Sequence, residues 1–446
     1  MSRKLSAHLG VLGSGVVIGL SFRFVQGALL ARLLGVAEFG KFATLAALAA
    51  IISRLNDLGL PSAIAYHFRQ TPGSLASLRR VVYLDFAWCS VVSVALALVA
   101  PHLPLTVAPD LRASVELQAL LAAYVAFNTP TWILPGFISA AGDYRAYARL
   151  GNLDVGLQAA LTVASCVVFG PSYMHVIAAL TLEQGLMTSV YLWYVKRYDR
   201  GPAVPVSVRE TLTYGLRLQW GVLMKLLSSR ADVLTVGALT NATSAGLYSV
   251  ALNIRDIGLL PLSIYAPPFQ NLVIDRSRAG AASDRGPVIT GLLLQGGLSI
   301  AIALAAAIAL PALIPVVYGR SFQPAALPAV ILFSSIIFLG PAGLCWMTFN
   351  AKGQPQLTSL LLTASGILGP ALSYFLLTRG YGLKGVATGA VVTSAVTLGL
   401  ALLLLQRLQH YRWRDVREGV VRSSAISKLA VAHVRSYMHR LIRGKA

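Results

Sequence analysis

The sequence predicts an all-α, polytopic membrane protein of about twelve transmembrane helices. Three observations carry that expectation. The 446 residues are 56% hydrophobic and only 12% charged, with mean hydropathy +0.69, whereas soluble chains average about 25% charged. Apolar runs of about 20 residues, the length that crosses a bilayer as a helix, recur along the chain. The strand-period alternation of a membrane barrel is missing, which leaves helices to satisfy the backbone in lipid.

Twelve apolar segments follow in order: 8–31, 40–65, 81–100, 115–138, 148–169, 173–195, 213–238, 244–266, 288–317, 324–348, 355–377 and 383–405. Arg3 and Lys4 before the first run would allow a cleaved leader. The run continues past Arg23 to Leu34 without a small-x-small cleavage site, so it reads as the first transmembrane helix. Prolines at depth (Pro130, Pro135, Pro261, Pro311, Pro315, Pro328 and Pro341) each remove a ladder bond and bend their helix. Cys89, Cys166 and Cys345 stand singly in apolar segments without metal-ligand spacing and are assigned to packing. Asn128, Gln158, Gln184 and Gln219 suit hydrogen bonds between helices.

Orientation follows from Lys and Arg. With the N-terminus in the cytoplasm, 25 cations fall on inside segments and six on outside ones. The positive-inside rule then expects both termini to be cytoplasmic and the helix count even. A net charge of +21 would suggest nucleic acid in a soluble protein; here the cations mark topology, and no nucleic-acid partner is expected. The six remaining cations lie at membrane depth: Arg23, Arg54, Arg217, Lys225, Arg230 and Arg255. Arg217, near a helix start, can snorkel to the surface.

The chain divides into an N-terminal six-helix bundle (1–200), a cytoplasmic linker (201–212), a C-terminal six-helix bundle (213–405) and a basic amphipathic tail (406–446). The polar stretch around the linker contains Gly201, Pro202 and Pro205, as suits a connector. A weak repeat at an offset of 206 aligns Gly40-Lys41-Phe42 with Gly246-Leu247-Tyr248, which implies parallel repeats about an axis along the membrane normal. In the tail, Ile426, Ala430, Val434, Tyr437 and Leu441 share one helical face opposite Lys428, Arg435, His439 and Arg443. That pattern suits an interfacial helix on an anionic inner leaflet, with a solvated tail as the alternative.

The second half opens with the stretch that sets the functional question. Residues 220–256 form two apolar helices around a short polar turn, yet they contain Lys225, Arg230, Asp232, Arg255 and Asp256. An ion at the centre of a membrane helix costs roughly 2.5–3.5 kcal/mol, so such residues face a cavity or a partner. Arg23 and Arg54 lie on the first helix pair; Lys225, Arg230 and Arg255 lie on the first pair of the second half. If the halves face each other, these five cations line one chamber suited to an anion such as a pyrophosphate head group. The alternative is internal neutralisation. Arg54 with Asp57 (i, i+3) and Lys225 with Asp232 (i, i+7) each share a helix face. The buried acids Asp57, Asp154, Glu183, Asp232 and Asp256 either balance charge or couple transport to protons or sodium. Asp154 and Glu183 have no cation nearby on their own helices and are the better coupling candidates.

Several patterns spread along the chain resemble a known family. The first hairpin, Ala31-Arg32-Leu33-Leu34-Gly35-Val36-Ala37-Glu38-Phe39-Gly40, is followed by Asp57-Leu58-Gly59-Leu60. Later come Ala231-Asp232, Gly246-Leu247-Tyr248, Tyr318-Gly319-Arg320-Ser321-Phe322, Asn350-Ala351-Lys352-Gly353 and Gly385-Val386-Ala387-Thr388-Gly389-Ala390. In order and spacing these are similar to the polysaccharide (Wzx-type) flippases of the multidrug/oligosaccharidyl-lipid/polysaccharide (MOP) exporter superfamily. The resemblance implies two six-helix bundles forming a V and alternating access. It implies a substrate too: undecaprenyl-pyrophosphate-linked oligosaccharide, moved to the periplasmic leaflet of a bacterial inner membrane for O-antigen or exopolysaccharide synthesis. Related lipid II flippases use arginines on the first, second and eighth helices, where Arg23, Arg54 and Arg255 stand here. No cofactor, metal or catalysis is expected. Expected partners are the lipid-linked substrate, membrane lipids and polysaccharide polymerase machinery, with the carrier itself a monomer.

Two rivals from other classes remain. A cation-coupled drug antiporter on the same fold would present an acidic, aromatic-lined cavity. A membrane enzyme of glycan assembly would carry a large external or carboxylate-rich loop, whereas the longest external loop here, 100–114, contains one Asp. The 66–80 loop lacks the Gly-x-x-x-Asp-Arg pattern of facilitator-type sugar transporters.

Overall fold

The architecture comes from a computed structural model that describes residues 3–60, 63–64, 75–103, 108–141, 143–198, 207–264, 269, 273 and 285–409. Of the expected basic tail (406–446) the residues from 410 on, half of the linker (201–206) and most of the 270–286 loop lie outside the described residues. Among the described residues every regular element is helical.

The first helix, α1 (Arg3–Asn56), supplies both of the first two apolar segments. It folds into two arms at Gly35, whose φ of 72° is open to glycine and strained for other residues. The second arm ends at Asn56 rather than near 65. There the Asp57 carboxylate accepts the Gly59 N–H at 2.9 Å, while Leu58 (φ 47°) and Gly59 (φ 69°) turn left-handed and stop the helix. Next come α2 (Leu75–Val99), the short α3 (Ala108–Ala113), α4 (Val115–Ala140), α5 (Tyr144–Phe169) and α6 (Tyr173–Val195).

The second half consists of α7 (Val208–Leu239), α8 (Ala242–Gly258), α9 (Leu260–Ile264), α10 (Arg285–Val317), α11 (Ala326–Ser334), α12 (Ile336–Ala351), α13 (Pro355–Thr378) and α14 (Gly382–Gln409). Side-chain caps mark four starts. Asp143, Ser172, Ser207 and Asn241 accept N–H bonds from Ala146, Met174, Glu210 and Ser244, each satisfying a donor the helix leaves open. Pro130, Pro135, Pro311, Pro315 and Pro341 lie within helices that continue through them.

Among the described residues, eight helices are long and apolar enough to cross a membrane. One of these, covering Ser21–Asn56, is the bent pair. Helices α7 and α8, which hold most of the mid-chain charges, are not among the eight. The first is interrupted by Lys225, Arg230 and Asp232, and the second is 17 residues long.

The buried side chains show how the two bundles join. One core spans both at the end where α1 bends: Leu30, Phe39 and Leu45 of α1, Val176 and Leu180 of α6, Tyr248 and Leu252 of α8, with Phe322 and Leu332. Toward the opposite end this core divides. Leu60, Val81, Ile133, Phe137 and Tyr191 form one cluster; Val288, Leu344, Phe349, Leu361 and Leu405 form another. The bundles are therefore fused at the Gly35 end and have separate cores at the Lys352 end, where contact between them is kept by the turn at Gly59 against Gly215 of α7.

The fused end closes backbone to backbone. A Cβ at Gly40 would run into the Ala242 carbonyl, and one at Gly246 into the Val36 carbonyl. Positions 36 and 242 are 206 apart, as are 40 and 246. The contact is thus reciprocal, as at a two-fold axis relating equivalent surfaces. The offset seen in the sequence is the symmetry of this joint.

Candidate functional site

The mid-helix charges form three groups rather than one ring of contacts. In the first, Arg255 of α8 is 5% exposed and donates through Nε and Nη2 to Asp256 Oδ1 at 3.2 and 2.8 Å. Arg230 of α7 reaches the other oxygen of the same carboxylate, Nη2 to Oδ2 at 3.3 Å. One acid is thus shared by two guanidinium groups, so the group keeps a net positive charge. Arg230 and Asp256 are each about a third exposed, so the group opens onto space rather than packing shut.

In the second group, Arg54 of α1 donates to Asp57 Oδ2 at 2.7 Å and lays its guanidinium 4.0 Å from the centroid of the Trp132 ring of α4. That arrangement is a charge-assisted bond combined with a cation–π contact. Gln219 of α7 donates to the Arg54 carbonyl, tying the two bundles together. Lys225 of α7 stands close enough to Arg54 for their charges to repel. Among the described residues it forms no ion pair.

The pairing of Lys225 with Asp232 expected from their shared face does not form. Seven residues of helix separate them by about 10 Å along the axis. Asp232 is instead buried among α7, α8 and α13, where it accepts hydrogen bonds from Tyr248 OH at 3.1 Å and Ser373 Oγ at 2.8 Å. Asp57 and Asp256, by contrast, are both paired with arginines.

The third group lies within the first bundle. Arg23 on the first arm of α1 attracts Asp154 of α5, whose carboxyl faces that of Glu183 on α6. Glu183 is fully buried. Its Oε2 accepts from Gln184 Nε2 at 2.6 Å, and Gln184 Oε1 accepts from Thr131 Oγ1 at 2.6 Å. Among the described residues no fixed donor reaches the buried Oε1 of Glu183, which leaves the neighbouring Asp154 carboxyl to share a proton with it. Gln26 donates to Thr162 Oγ1 and Asn128 to Ser53 Oγ, both at 3.0 Å, so these amides hold helices together.

Four further participants have roles that the sequence does not disclose. Trp132 is one aromatic among many until Arg54 stacks on it. Tyr248 and Ser373 reach Asp232 from other helices. Arg32 counted as an outside charge, but it donates to the Val316 and Val317 carbonyls. It thereby caps the C-terminal end of α10, where a cation is favoured by the helix dipole.

A protein-family model described as "Polysaccharide biosynthesis protein" matches residues 6–274. Among solved structures, an inward-facing multidrug-resistance MATE-family transporter of the MOP superfamily aligns with a TM-score of 0.68 at 12% identity, covering 91% of this chain and 95% of that one. The outward-facing form of a MATE-family transporter of the superfamily aligns at 0.62 and 16% identity, covering 94% and 96%. The lipid II flippase MurJ in an inward closed conformation aligns at 0.66 and 11% identity, covering 95% and 92%. No curated protein matches the chain. On the family match and the fold together, this chain is a member of the polysaccharide biosynthesis protein family built on the MOP transporter fold.

Proposed function

We propose that the protein is a Wzx-type flippase that moves undecaprenyl-pyrophosphate-linked oligosaccharide across a bacterial inner membrane for O-antigen or exopolysaccharide assembly. The observation that carries this reading is the Arg230–Asp256–Arg255 group together with Lys225. Three cations and one acid stand on α7 and in the last turn of α8; Lys225, Arg230 and Asp256 are open to solvent in part, and Arg255 is buried behind them. Leaving such charge in a membrane is costly unless an anion compensates it, and pyrophosphate does so with forked acceptors for each guanidinium. Arg54 on Trp132 adds a cation and an aromatic face beside Lys225, and Arg23 adds a further cation on the first bundle.

The positive-inside distribution supports a cytoplasmic Lys352 end, with both termini on that side. The fused Gly35 end is then periplasmic, and the divided cores open toward the cytoplasm. The carrier would bind the head group from that side, rock about the Gly40–Gly246 joint and release it outside. Binding alone supplies no direction. The facing carboxyls of Asp154 and Glu183, close enough to share a hydrogen bond when one carries a proton, suit uptake and release of a proton. The other acids balance arginines or, in Asp232, fasten helices. The carrier acts as a monomer without cofactor or catalysis and hands its cargo to polymerase machinery.

The test is reconstitution in vesicles with a fluorescent lipid-linked glycan and a quencher that cannot cross the membrane. Flipping by the natural chain, lost in an Arg255→Ala, Lys225→Ala double variant, is expected; wild-type rates in the double variant would refute the cationic site. A drug antiporter is the second reading, favoured by the MATE-family neighbours and the buried acids. Proton-driven transport of an organic cation by the same vesicles would support it instead.

A further inference from the structure

The charges at membrane depth do not cancel. Setting aside Arg217 near the start of α7, five cations stand there: Arg23, Arg54, Lys225, Arg230 and Arg255. Three acids answer them. Asp57 holds Arg54, Asp154 draws Arg23, and Asp256 is shared by Arg230 and Arg255. Two positive charges are left over, one on Lys225 and one on the guanidinium pair around Asp256. Any charge on the buried Asp85, Glu183 or Asp232 would lower that surplus further. We infer that the surplus matches the pyrophosphate alone, so that the oligosaccharide this protein takes is built of uncharged sugars. The inference deepens the flippase reading and rests on it for the identity of the cargo.

Three observations carry it. The first is stoichiometry. A pyrophosphate esterified at both ends carries one negative charge on each phosphate. Lys225 and the Arg230–Arg255 pair supply one positive charge for each, from the neighbouring helices α7 and α8. A neutral glycan completes the match. A uronic acid would bring a further negative charge into surroundings where an unpaired ion is costly.

The second is that the paired cations are not free to serve a carboxylate. Asp57 is buried and fixed at both oxygens, Oδ2 by Arg54 at 2.7 Å and Oδ1 by the Gly59 N–H at 2.9 Å. Drawing Arg54 onto an acidic sugar would strand Asp57 without a counter-ion. Asp85 of α2 is buried too and stands close enough to Asp57 for their charges to repel. Among the described residues no donor reaches its Oδ1. Asp256 is held from both sides, by two nitrogens of Arg255 and one of Arg230.

The third is what the neighbouring neutral groups offer. Trp132 is exposed and carries Arg54 at 4.0 Å from its ring centroid. Gln158, one turn beyond Asp154 on α5, and Ser229, beside Arg230 on α7, are half-buried. An aromatic face, an amide and a hydroxyl hold sugar rings and their hydroxyls without demanding charge.

The experiment uses the full chain in lipid nanodiscs and two farnesyl-pyrophosphate disaccharides that differ only in the outer sugar, glucose in one and glucuronate in the other. Affinities are read by titration calorimetry at physiological salt. Loss of one charge-assisted bond weakens binding by roughly ten- to a hundredfold, so the glucose form is expected to bind at least tenfold more tightly. Two variants supply the missing charge. Asp256→Asn frees a guanidinium, and Ser229→Lys adds a cation one turn after Lys225. Each should bring the glucuronate form to within about threefold of the glucose form, whereas the neutral Ser229→Gln keeps the parent preference. Equal affinities in the natural chain, binding of neither form, or a preference unmoved by both added charges would overturn the inference. Flipping of the corresponding undecaprenyl lipids is followed in the quenching assay. If the glucose form binds more tightly but neither lipid is flipped, the flippase reading falls and the charge match stands. If both lipids are flipped and the two forms bind alike, the charge match falls and the flippase reading stands.

Discussion

Gly246→Ala should open the Gly35 end of the molecule. The added Cβ would lie 3.1 Å from the Gly40 nitrogen and 3.3 Å from its Cα, and would overlap the Val36 carbonyl oxygen. All three neighbours are backbone, so no rotamer change relieves the contact; the two bundles must part. Overpacking of this kind costs about 1–3 kcal/mol, and it falls only on conformations in which α1 and α8 touch. At about 1.4 kcal/mol per tenfold, the closed-to-open ratio should shift by roughly 5- to 150-fold. A cysteine at Lys225 reports the state, since the natural cysteines Cys89, Cys166 and Cys345 are all buried. A charged, impermeant maleimide added to the Gly35 side of oriented vesicles should label Lys225→Cys slowly in the parent and 5- to 150-fold faster with Gly246→Ala. Gly343→Ala is the control, because nothing lies within 4 Å of a Cβ there. Equal labelling rates in the parent and the Gly246→Ala chain would refute the joint as the closing contact.

Arg255→Lys should lose most flipping while Arg230→Lys loses less, because Arg255 is buried and reaches Asp256 through two nitrogens whereas Arg230 uses one; initial rates in the quenching assay rank the two. Tyr248→Phe removes one hydrogen bond to the buried Asp232 carboxyl, worth about 1.5–3 kcal/mol if the acid is ionised, so the melting temperature in detergent should fall by several degrees while head-group binding is kept. Glu183→Gln removes a titrating group while retaining an acceptor for Gln184. Flipping driven by an imposed proton gradient should then drop to the rate without a gradient, and an unchanged response to the gradient would exclude Glu183 as the coupling acid.

Much of the fold was legible from composition because lipid permits few solutions. Each long apolar run has to satisfy its own backbone, and each became helix. Pattern also exposed the joint: the 206-residue offset, weak as a sequence match, relates Val36 to Ala242 and Gly40 to Gly246, the positions that meet. Charges were harder to place. Arg54 and Asp57, one turn apart, pair as spacing expects. Lys225 and Asp232, two turns apart on one face, do not, because periodicity gives direction around a helix and says nothing of what a neighbouring helix offers. The second arm of α1 is shorter than its apolar run for a related reason. Residues 57–60 read as part of an apolar run, but the Asp57 carboxylate and two left-handed residues end the helix there.

By itself, then, the sequence determined the helices, their approximate number and the identity of the charges stranded among them, since these depend on local hydropathy and short-range spacing. Only the tertiary structure decided which charges compensate one another, that Asp256 serves two arginines, that Trp132 backs Arg54 and that Tyr248 and Ser373 hold Asp232. Apart from the adjacent Arg255 and Asp256, those facts join residues tens to hundreds of positions apart, and no local rule couples them until the bundles pack.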